Sequence, residues 1–156
     1  MRIIISIVLI WLTSFTTMAQ DKKSFEKEWT EIDRLMEKGL PQSAIKKVQQ
    51  VAVKAREQGN QVEQIKASLY EIYLTEQVSD DDLAALPLIE AQISSNAAPV
   101  KNLGYSLKAA WLERYLQQHR YEIYQRTELS GKPSADLRTW TLNQITRAIR
   151  DAYRAS

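Results

Sequence analysis

The stretch FEKEWTEIDRLMEKGLPQSAIKKVQQVAVKAREQGN, residues 25–60, decides the fold. Phe25, Trp29, Ile32, Leu35 and Met36 recur at three- and four-residue steps, Met36 lying four beyond Ile32, which is one face of an α-helix. Gly39 ends that helix, because the residue after a helix must enter the left-handed region without steric cost. Pro41 opens the next one, where its missing N–H costs nothing. Ile45, Val48, Val51, Ala52 and Ala55 then form a second apolar stripe, stopped by Gly59-Asn60. Two such helices joined across Gly39-Leu40 make an antiparallel hairpin.

The pattern continues outward from this hairpin. A third helix is predicted from about Val62 to Val78, with Ile65, Leu69, Ile72 and Tyr73 inward. Ser79-Asp80-Asp81-Asp82 reads as an N-cap followed by acids that favour the helix dipole. Pro87 implies either a short turn before a new helix or a kink. The turn is preferred, with Leu88, Ile89 and Ile93 packing. A long helix from about Pro99 to Arg126 carries Leu103, Leu107, Ala110, Trp111, Leu112, Tyr115 and Leu116 on more than one face, so it should be central. Thr127 to Ala135, with Gly131 and Pro133, reads as a loop. Thr141 and Gln144 form a T-x-x-Q capping box, and Leu142, Ile145, Ile149 and Tyr153 stripe the last helix. Trp29, Trp111 and Leu107 are expected in the core. The fold class is all-α, with five to seven helices in antiparallel hairpins, as a tetratricopeptide-like array or a bundle.

Composition supports this and closes off chemistry. The 156 residues contain four Gly and four Pro, too few for the turns of a many-stranded sandwich. The chain has no cysteine, which excludes disulfides, Cys-ligated zinc, iron–sulfur clusters and thiol nucleophiles. A single histidine excludes any site that needs two.

Residues 1–19 read as a secretory signal. Arg2 precedes an apolar run from Ile3 to Phe15, and Thr17-Met18-Ala19 places small residues at the cleavage positions. The run is short for a bilayer core, which needs about 20 apolar residues, and without cysteine no lipid anchor can be attached. The expected product is residues 20–156, exported to the periplasm or cell envelope or secreted. Removing Arg2 leaves 20 basic against 19 acidic residues, but unevenly placed. Residues 61–98 hold one base and seven acids, and residues 99–156 ten bases and five acids. Such alternation does not suit a nucleic-acid binder, which gathers bases on one face. Solvated helix faces of differing sign are the simpler reading.

The search for a reactive centre yields no catalytic, cofactor-binding or metal-ligating residues. His119 has Glu122 and Glu113 nearby, but no Glu-x-x-His motif of a carboxylate-bridged metal bundle occurs. Asp80-Asp81-Asp82 lacks the spread ligands and central Gly of a calcium loop. Ser79, Ser106, Ser130 and Ser134 lack a nucleophile-elbow setting. Tyr70, Tyr73, Tyr105, Trp111, Tyr115, Tyr121, Tyr124 and Trp140 suit either a peptide-binding groove or a core, and helical spacing favours the core.

Several stretches, taken in order, carry a resemblance. They are Phe25-Glu26-Lys27-Glu28-Trp29, Lys38-Gly39-Leu40-Pro41-Gln42-Ser43-Ala44, Lys66-Ala67-Ser68-Leu69-Tyr70, the aromatic helix around Trp111 and Tyr115, Arg126-Thr127, Thr139-Trp140 and Tyr153-Arg154-Ala155-Ser156. Together they resemble the helical N-terminal region of the large exported alpha-2-macroglobulin-like proteins of Bacteroidetes type. In that family the segment precedes a string of β-sandwich macroglobulin domains, and the whole proteins are thought to trap or inhibit proteases in the envelope. The resemblance implies that such domains would begin beyond Ser156, so the chain is expected to be a leading module, or a truncated or split product. It contains no bait region and no thioester Cys-x-x-Gln, so no inhibitory residue carries over. The alternative is a free-standing exported helical-repeat adaptor for a peptide or protein partner. Neither reading makes the chain an enzyme.

Overall fold

A computed structural model describes residues 25–127 and 133–156. The signal at 1–19 and the Gly131 part of the loop lie outside the described residues. Within them the chain is helical, with no strand. It forms two compact units that divide between Val78 and Ser79.

The first unit is built from α1 (residues 25–37), α2 (Pro41–Glu57) and α3 (Gln61–Val78). Both corners use the same device. Gly39 has φ +68° and Gly59 φ +66°, and each donates its N–H back three residues, to Met36 and Arg56. The following residues, Leu40 and Asn60, donate to Leu35 and Ala55. This is the Schellman ending, in which a left-handed glycine lets two orphan carbonyls be satisfied. Pro41 is the first residue of α2, and Asn60 Oδ1 accepts from the Glu63 N–H at 3.2 Å to start α3. Connections this short force neighbouring helices to run antiparallel.

The core of this unit gathers Phe25, Trp29 and Ile32 of α1, Ala44, Val48, Val51 and Ala55 of α2, and Ala67 and Leu74 of α3. The expected α1 and α2 stripes are therefore found. The expected α3 face is corrected. Leu69 and Tyr73 are exposed, Ile65 is half-buried, and Ile72 is buried but outside this cluster. Ala67, Tyr70 and Leu74 face inward instead. The helix carries two apolar stripes, and polar groups beside the second one bond to α1 and α2. Glu63 Oε2 accepts from Trp29 Nε1 at 2.6 Å, Glu71 Oε1 from Gln49 Nε2 at 2.8 Å, and Gln64 Nε2 donates to the Ala55 carbonyl at 3.2 Å.

The second unit contains α4 (Leu86–Ser95), α5 (Val100–Gln118), α6 (Arg120–Gln125), a 3-10 turn (Leu137–Thr139) and α7 (Leu142–Ala155). The acidic run does not open a helix directly. Ser79 Oγ accepts from the Asp81 N–H and Asp81 Oδ1 from the Leu83 N–H, which folds residues 82–85 as a turn. Such i→i+2 side-chain bonds compete with helix at Asp and Ser. The α4 helix follows, with Pro87 inside its first turn, as the turn-then-helix reading expects.

The central helix α5 packs against both α4 and α7. Gly104 allows the α4 approach, since a Cβ there would sit 2.9 Å from Ile93 Cγ1. Trp111, Leu112 and Tyr115 are buried as expected, but Leu107 is only half-buried, and Leu103 and Ala110 are exposed. The single helix expected to Arg126 is broken at His119, whose φ of −104° and ψ of 13° depart from helical values. Beyond the break, α6 re-aims the chain so that Ile123 is buried while Tyr121 and Tyr124 are exposed. The Thr141–Gln144 capping box is complete, with Thr141 itself buried. In α7, Ile145 and Ile149 are buried and Ala152 joins them, whereas Tyr153 is exposed and donates to Glu113 Oε2 at 2.9 Å.

Candidate functional site

The densest polar arrangement in the second unit joins three segments between or beside helices. Arg138 Nη2, in the 3-10 turn, donates to Asp82 Oδ1 at 2.9 Å and to Asp81 Oδ1. Its Nη1 lies 3.8 Å from Asp136. The other oxygen of Asp82 meets His119 Nε2 at 3.1 Å, at the α5–α6 break. The His119 ring lies against Tyr115, centroids 4.4 Å apart, and Tyr115 is in turn stacked on Trp111. Arg126 Nη1 donates to the Trp140 carbonyl at 2.7 Å, and the Trp140 indole donates to the Ser134 carbonyl at 2.8 Å.

Local geometry fixes the electrostatics. The Leu83 N–H, together with Arg138, holds the Asp81 carboxyl below its ordinary range. Burial pushes the Tyr115 phenol up, and the Asp82 charge adds to this. In the first unit the Lys54 ammonium, 2.6 Å from Glu28, pulls that carboxyl down. Of these, the Glu28 shift comes from a partner on another helix of its unit.

This arrangement binds segments of the second unit to one another. Among the described residues, no serine hydroxyl bonds to His119, and no group of three His, Cys, Asp or Glu side chains is placed to hold a metal ion. Asp80 is exposed, and Asp81 and Asp82 turn toward Arg138. Ser79 caps the Asp81 N–H, Ser106 is half-buried on α5, and Ser134 pairs with Thr139. Ser130 lies outside the described residues. Residue spacing gives no sign of the Asp82–Arg138 pair, because 56 positions separate them.

The aromatic side chains divide in two. Trp29, Trp111 and Tyr115 are buried, and Tyr70, Tyr105 and Trp140 half-buried. Tyr73, Tyr121 and Tyr124 are 54%, 77% and 69% exposed, which departs from the core reading for those three. Tyr121 and Tyr124 border an open depression with Leu116, Gln117, Arg120 and Gln125. In the first unit the Trp29 and Tyr70 rings lie 4.9 Å apart, with Lys66 Nζ 3.9 Å from the Trp29 centroid.

The described residues include no helix long and apolar enough to cross a membrane. Compared with family models, curated proteins and solved structures, the chain matches none.

Proposed function

We propose that the chain is a non-enzymatic exported helical module, the leading part of an alpha-2-macroglobulin-like envelope protein. What supports the reading is the resemblance of the quoted stretches, several of which fall at helix contacts and corners within their unit. Trp29 of the first quoted stretch packs on Tyr70 and beneath Lys66 of the third. The Lys38-Gly39-Leu40-Pro41 stretch is the α1–α2 corner. In the second unit Trp111 stacks on Tyr115, and Arg126 holds the Trp140 carbonyl. Residues used in this way set a scaffold.

Protease trapping belongs, on this reading, to the whole protein, whose β-domains and bait region would do that work. The test is the DNA immediately downstream of Ser156. A reading frame encoding macroglobulin domains, in frame or adjacent, is the expected result, and an unrelated gene there would overturn the proposal. Envelope protein should begin at Gln20 by N-terminal sequencing; an intact Met1 species in the membrane would refute export with cleavage.

The adaptor reading draws support from Tyr121 and Tyr124, since tyrosine beside arginine is enriched at protein interfaces. A stable exported monomer with no macroglobulin frame nearby, and with partner binding lost in Tyr121→Ala/Tyr124→Ala, would favour it.

A further inference from the structure

We draw no further inference here: the strongest candidate, the outward apolar ridge of α3 formed by Val62, Leu69 and Tyr73, carries nothing because nothing in the structure shows what covers it.

Discussion

Replacing Trp29 tests how the first unit is held together. Its indole is 93% buried, and three interactions converge on it: the Glu63 carboxylate at 2.6 Å, the Tyr70 ring at 4.9 Å and the Lys66 ammonium at 3.9 Å. Truncating a buried aromatic to alanine costs about 3–5 kcal/mol from lost contacts and the cavity left behind. The Tyr70 pair and the cation–π contact are each worth about 0.5–1.5 kcal/mol, but they share atoms with the burial term and do not simply add. Trp29→Ala should therefore destabilise by about 4 kcal/mol, a large share of the ~5–15 kcal/mol that typically holds a domain. Trp29→Phe keeps a six-membered ring and removes the rest of the indole with its N–H donor. Glu63 is half-buried and can regain water, so this variant should lose about 1.5–3 kcal/mol, the range for a hydrogen bond to a charged group, and less than Trp29→Ala. Urea unfolding followed by far-ultraviolet circular dichroism would give both values, provided the slope with denaturant stays constant. A loss below about 1 kcal/mol for Trp29→Ala, typical of surface changes, would refute the packing described for α1 against α3.

Other outcomes follow from single features. Trp111→Ala should cost about 3–5 kcal/mol, measured by the same unfolding assay. Gly104→Ala should cost about 1–3 kcal/mol through the Ile93 clash, and Ile93→Ala in the same chain should recover part of that, shown by a double-mutant cycle. Gly39→Ala meets no atom within 4 Å, so its cost should be the ~1–2 kcal/mol of a left-handed alanine alone, a value that thermal melts can check. Asp81 and Glu28 have carboxyls held below their ordinary values. The stability they contribute is present at neutral pH and lost as pH falls through their folded-state values. Asp81→Asn should flatten the acid limb of a stability–pH curve. Tyr115 is raised, so its contribution is intact below pH of about 10 and lost above; Tyr115→Phe should remove that alkaline loss.

Much of the fold was legible because helix ends are chemically explicit. Gly39, Pro41, Gly59 and the Thr141–Gln144 pair mark boundaries through backbone requirements that no tertiary contact needs to supply. Orientation was less so. In α3, Val62, Ile65, Leu69 and Ile72 are spaced as convincingly as Glu63, Ala67, Tyr70 and Leu74. Which set faces the unit's core is decided by residues distant in sequence, the α1 and α2 side chains that Ala67 and Leu74 pack against and Trp29, which Glu63 accepts from. The break at His119 was invisible for a related reason. No glycine or proline marks it, and its partner Asp82 lies 37 residues away in sequence. Leu107 and the exposed tyrosines show that periodicity locates a face without saying how much of it a neighbour covers.

The Asp82 carboxylate ends by linking three places where the second unit is not α-helical: its own turn, the α5–α6 break and the 3-10 turn at Arg138. Connectors like these are where proteins ordinarily open first and independently. Here each shares the Asp82 carboxylate with the other two, so loosening one removes a partner from the rest. Native-state hydrogen exchange should accordingly find the amides of Leu83, Ile123 and Trp140, each bonded to a carbonyl or carboxylate in or beside these connectors, opening as a single cooperative event. In Asp82→Ala those amides should exchange at three separate rates.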